Sequence, residues 1–133
     1  MSSRCAGRRK SVLLADDDPG MVDTLTDILQ ANRYEVATAR SGDTAVAMAR
    51  SGAYDLVLMD IRMPGLNGVQ ALTAMKAAGL GVRVIMMTAY TRDELVKEAE
   101  QQSGSPVLPK PLDLPRVLSL AASATSRCAG ESR

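Results

Sequence analysis

Three stretches of the chain are apolar without alternation: VLLA at 12–15, LVLM at 56–59 and VIMM at 84–87. A strand with one wet face alternates apolar with polar residues, so an unbroken apolar run requires cover on both faces. Between these runs apolar residues recur at helical spacing, as Met21, Leu25, Ile28 and Leu29 do. Strand and helix therefore alternate, and that order predicts a parallel sheet clad by helices on both sides.

The elements follow in turn. Strands are expected at 11–15, 34–39, 54–60 and 82–88, with a short one at Val107 and Leu108. Helices are expected from Pro19, from Gly42 to Arg50, through Val69, Leu72 and Met75, around Leu95, Val96 and Ala99, and from about Leu114. Pro19 suits a first helical position, and Asp18 before it suits an N-cap whose carboxylate accepts a free backbone N–H. Ligands of such sheets bind where the strands end at their carboxyl sides. Asp16 and Asp17 follow strand 1, Asp60 ends strand 3, Thr88 ends strand 4 and Lys110 lies just past strand 5.

Composition narrows the function. Sixteen Lys and Arg against fifteen Asp and Glu leave a formal charge of +1, too balanced for a whole-surface attraction to nucleic acid or anionic lipid. The basic start, with Arg4, Arg8, Arg9 and Lys10, has no aromatic residue interleaved to stack on bases and is read as a solvated tail. Its apolar continuation is too short for a signal peptide, no stretch reads as a membrane span, and a cytoplasmic location is expected. Cys5 and Cys128 lie in polar segments with no framework spacing and are read as reduced thiols.

The acidic pair Asp16 and Asp17, Asp60 within LVLMDIRMPGLNG, Thr88 and Ala89 within MMTAY, and Lys110 within LPKPLD occur in an order and register that resemble the receiver domain of two-component response regulators. The resemblance covers about residues 11 to 122. It implies a flavodoxin-like, doubly wound, five-stranded parallel sheet in the order 2-1-3-4-5. It also implies that Asp60 accepts a phosphoryl group from a histidine kinase or a histidine phosphotransfer protein and then switches a docking surface for a downstream protein target. Asp16, Asp17, Asp60 and the Arg62 carbonyl would bind Mg²⁺, Asp16 mainly through a water. Thr88, the Ala89 N–H and Lys110 would hold the phosphoryl oxygens. Lys110–Pro111 is often cis in the family. The chain would modify itself without being a turnover enzyme, as a monomer or weak dimer, with no direct contact to nucleic acid or membrane.

Elementary electrostatics agrees with that ligand set. Two carboxylates about 5 Å apart repel by about 3 kcal/mol at an effective dielectric of ~20, and one lysine offsets only part of it for three carboxylates. A divalent cation would complete the neutralisation. With no His in the chain and the Cys outside the periodic sequence, the donors are all oxygen, which favours Mg²⁺ over Zn²⁺.

Some positions depart from the family's pattern. Val107 stands three before Lys110, where many receivers carry Tyr or Phe, and this makes a phosphorylation-independent scaffold the alternative function. Asn67 replaces a common Asp, Leu112 replaces a common Phe, and the Gly-Ala usual before strand 5 is missing. Asp16 and Asp18 also match the D-x-D of haloacid-dehalogenase-type phosphatases, but Pro19 and Gly20 break that continuation. Arg62 and Tyr90 lie two beyond Asp60 and Thr88, where both would border the path of a hydrolytic water. The Arg62 side chain is expected to be exposed, or to reach a phosphoryl oxygen. Residues 1–10 and 123–133 are read as flexible tails around one domain.

Overall fold

The computed structural model describes residues 10–110 and 112–125. Strands β1 (Lys10–Ala15), β2 (Tyr34–Ala39), β3 (Leu56–Asp60), β4 (Arg83–Thr88) and β5 (Leu108–Pro109) alternate with helices α1 (Pro19–Ala31), α2 (Gly42–Ser51), α3 (Gly68–Ala77), α4 (Leu95–Ser103) and α5 (Leu114–Thr125). The strands form one sheet in the order β2-β1-β3-β4-β5, and the pairing is parallel throughout. The expected doubly wound sheet is what the chain adopts.

Period-two geometry divides each apolar run between two cores. Leu13, Val57, Met59, Val84 and Met86 face α2, α3 and α4, where Ala45, Val46, Val69, Leu72, Met75 and Ala99 cover them. Val12, Leu14, Leu56, Leu58, Ile85 and Met87 face α1 and α5, against Val22, Leu25, Leu29, Val117 and Ala121. Both sides of β3 are consequently buried along its whole length.

Local signals set the helix ends. Asp18 N-caps α1 as expected, accepting from the Gly20 N–H at 3.1 Å, and Ser41 caps α2 through Thr44 N–H at 3.1 Å. Asn67 and Gln70 close a reciprocal capping box at the start of α3. Gly42 is required by crowding: a Cβ there would lie 1.9 Å from the Leu66 carbonyl oxygen. That contact seats the β3–α3 loop on the start of α2.

Several boundaries differ from expectation: β3 begins at Leu56 and not at Tyr54, and β4 at Arg83 and not at Val82. Lys10 belongs to β1, paired with Tyr34, so it is strand and not tail. β5 is Leu108–Pro109, one residue later than expected; Val107 instead gives its N–H to Glu100 Oε2. Helix α5 continues past Ala122 through Thr125, since nothing in that small-residue stretch stops it. Cys5, Cys128, the remaining tail residues and Pro111, with its expected cis bond, lie outside the described residues.

Candidate functional site

In a sheet ordered 2-1-3-4-5 the order in which strands are added reverses at the β1/β3 boundary, which opens a crevice beyond the strand ends. Pleat parity decides which side chains meet there. Asp16 continues the parity of Val12 and Leu14, Asp60 that of Leu56 and Leu58, and Lys110 that of Leu108, all on the α1/α5 side. The ladder extends to hold them, with Asp16 N–H on Ala39 O at 3.0 Å and Lys110 N–H on Thr88 O at 2.8 Å.

The three side chains form one bridge. Lys110 Nζ donates to Asp16 Oδ2 at 2.7 Å and to Asp60 Oδ2 at 2.9 Å. The other oxygens are also bonded: Asp16 Oδ1 accepts from Asp18 N–H at 3.0 Å and Asp60 Oδ1 from Arg62 N–H at 3.2 Å. Asp16 is fully buried and Asp60 is 7% exposed, whereas Asp17 is exposed at the rim. Carboxylate oxygens of Asp16, Asp17 and Asp60 lie within 4.8 Å of one another.

Burial raises Asp60 above the ordinary carboxylate range; the Lys110 hydrogen bond and charge oppose the rise, and neighbouring Asp16 adds to it. Burial alone would lower Lys110, but its hydrogen bonds to Asp16 and Asp60 outweigh this and leave it above the ordinary lysine value. The ammonium is therefore fully charged at neutral pH, while the negative charge on Asp60 is held at a cost. Three oxygen donors around one partly offset charge, one of them open to water, fit a hard divalent cation.

Thr88 is on the opposite parity, with Val84 and Met86, and is buried. Its hydroxyl accepts from Tyr90 N–H at 2.9 Å and reaches Tyr90 O at 3.3 Å, so it is engaged within its own turn. Ala89 is exposed directly after β4. Tyr90 is 67% exposed.

Arg62 is exposed, as expected, and has a partner that the sequence did not indicate. Its side chain is half exposed but bound, with Nε on Asp93 Oδ2 at 2.5 Å and Nη2 on Asp93 Oδ1 at 2.9 Å. Asp93 also accepts from Leu95 N–H at 3.0 Å, at the start of α4. The Arg62 hydrogen bond, then the Leu95 N–H, hold the Asp93 carboxyl below its usual range. Sequence reasoning missed Asp93. The available signal was an Asp just ahead of a helical apolar pattern, the same signal that identified Asp18.

The profile of the response regulator receiver domain matches residues 12–122, and the chain belongs to that family, the receiver domain of two-component systems. A response regulator receiver protein of Anaeromyxobacter sp. is 34% identical over 108 residues, 81% of this chain and 45% of the relative. The chain thus spans less than half the length of that protein. Sporulation initiation phosphotransferase F of Bacillus subtilis is 29% identical over 108 residues, covering 81% of this chain and 87% of its own. Among solved structures, the CheX-CheY-BeF3-Mg+2 complex from Borrelia burgdorferi superposes with a TM-score of 0.80 at 31% identity, over 90% of this chain and 92% of that one. Among the described residues no helix is long and apolar enough to cross a membrane.

Proposed function

We propose that Asp60 is the phosphoacceptor of a two-component switch. The observation that carries this reading is the bridge Asp16–Lys110–Asp60, placed at the β1/β3 crevice with Asp17 at its rim. An oxygen of Asp60 attacks the phosphorus of a phosphohistidine on a histidine kinase or phosphotransfer protein. The O–P bond forms as the P–N bond breaks, and the electron pair leaves on the imidazole nitrogen. With the other ring nitrogen of the phosphohistidine protonated beforehand, the products are an aspartyl phosphate and a neutral imidazole.

This chain's residues supply positioning and charge. Asp60 must be ionised to attack, and Lys110 keeps enough of that charge offset in a buried site. As the phosphoryl group arrives, Lys110 exchanges its bond to Asp60 Oδ2 for a phosphoryl oxygen. Thr88 gives up its long contact to Tyr90 O and turns its hydroxyl to the same group, beside the Ala89 N–H. Asp16, Asp17, Asp60 and the Arg62 carbonyl are the residues that would hold Mg²⁺, which when bound neutralises the crowded carboxylates and the incoming oxygens. Each acceptance occupies the site until hydrolysis, so the chain acts as a self-modifying switch and not as a turnover enzyme. A cytoplasmic setting and a downstream protein target belong to the same reading.

The test is a beryllofluoride titration followed by amide spectra, with Mg²⁺ and with a chelator. Saturable shifts at Asp60, Thr88 and Lys110 that require the cation are expected. Unchanged spectra in Mg²⁺ would instead favour the phosphorylation-independent scaffold.

A further inference from the structure

Arg62 touches two places at once. Its backbone N–H holds the Asp60 carboxylate, and its guanidinium grips Asp93 at the start of α4. Asp93 is the anchor of that helix end: its carboxylate accepts from Leu95 N–H, whereas Glu94 at the cap position makes no side-chain capping bond. The helix itself is lightly held, with Ala99 its one fully buried residue. Its far end is tied separately, by Lys76 Nζ on the Gln102 carbonyl and by Thr73 Oγ1 on Gln102 Oε1 at 3.3 Å.

We infer that Arg62 and Asp93 form an exchangeable latch: modification of Asp60 draws the guanidinium from Asp93 onto the phosphoryl oxygens and loosens the start of α4 while its far end stays tied. This inference rests on Asp60 being the phosphoacceptor. A phosphoryl group presents nearly two negative charges and three strong acceptors, which a guanidinium fork matches better than it matches one carboxylate; the Arg62 side chain is 50% exposed and so has room to turn, whereas the Asp93 side chain is 5% exposed. The two ligands compete for one cation, so each weakens the other's hold by the same factor. Asp93 is thus a positioning residue that acts on Asp60 through Arg62.

Competition makes a prediction that a merely structural ion pair does not. Removing the competitor should tighten binding of a phosphoryl mimic, and removing the fork should weaken it. The full chain with Mg²⁺ is titrated with beryllofluoride as wild type, Asp93→Asn, Arg62→Gln and Arg62→Lys, with amide spectra and hydrogen exchange as readouts. Asn keeps an acceptor for the Leu95 N–H, and thermal unfolding checks that each variant is folded. Asp93→Asn should bind about three- to tenfold more tightly, Arg62→Gln more weakly, and Arg62→Lys in between. In wild type, exchange protection at Leu95 and Val96 should fall on binding, while that at Gln102 and Ser103 holds. A response at Asp60 with none at Leu95, or affinity changes of the same sign in Asp93→Asn and Arg62→Gln, would overturn the latch alone. No response at Asp60 in wild type would overturn the phosphoacceptor reading and the latch with it.

Discussion

Asp60→Asn should make the metal-free protein more stable. At 2.9 Å the Lys110 ammonium attracts the Asp60 carboxylate by about 6 kcal/mol at an effective dielectric of ~20. Asp16, with a carboxylate oxygen within 4.8 Å, repels it by about 3.5 kcal/mol on the same scale. Desolvation of a carboxylate only 7% exposed adds several kcal/mol more. The unfavourable contributions exceed the attraction, in keeping with the raised Asp60 pKa. Asparagine keeps the shape and an acceptor for Lys110 but carries no charge, so a gain of about 1–3 kcal/mol is expected at pH 7. Urea unfolding in a chelating buffer measures it directly. The pH dependence has a definite sign. A carboxyl whose folded pKa is raised binds more protons folded than unfolded, so wild-type stability falls as pH rises from the ordinary carboxylate value through the folded one. The advantage of Asp60→Asn should therefore be largest at neutral pH and shrink on acidification. A loss of stability at pH 7, or a gain that does not shrink in acid, would refute the crowded-carboxylate account.

Asp17→Asn should leave the fold intact and weaken Mg²⁺ binding by about tenfold or more, since it removes one of three charged donors; a calorimetric titration checks it. Gly42→Ala should cost about 3 kcal/mol or more in urea unfolding, because its Cβ would overlap the Leu66 carbonyl, which is backbone and cannot rotate away. Arg33 sits at φ 72° between α1 and β2, so Arg33→Gly should raise stability by about 0.5–1 kcal/mol in the same assay, with no effect on Mg²⁺ affinity.

The unbroken apolar runs made the sheet legible, because only strands buried on both faces tolerate them, and the polar residue ending each run marked the crevice. Asp16, Asp60 and Lys110 meet because they share a parity with buried neighbours, which counting along the strands could have shown. Thr88 was harder. Its hydroxyl is engaged by the Tyr90 backbone, a turn geometry that residue identity does not encode. The Arg62–Asp93 pair joins residues 31 apart on loops with no periodic pattern, so only the folded arrangement of β3 and β4 brings them together. Asn67 was legible in principle: N-x-x-Q before an apolar run is a capping-box pattern, and Asn serves there as well as Asp. The short β5 escaped by one residue because Pro109 lacks an N–H, which confines it to a sheet edge.

The central claim is that Asp60 accepts a phosphoryl group. Incubation of the wild type with phosphoramidate and Mg²⁺, followed by intact-mass measurement and peptide mapping, tests it most directly. One added phosphoryl group per chain is expected, on the peptide bearing Asp60, absent in chelator and absent in Asp60→Asn. An unchanged wild-type mass in Mg²⁺, or a modification that persists in Asp60→Asn, would contradict the account.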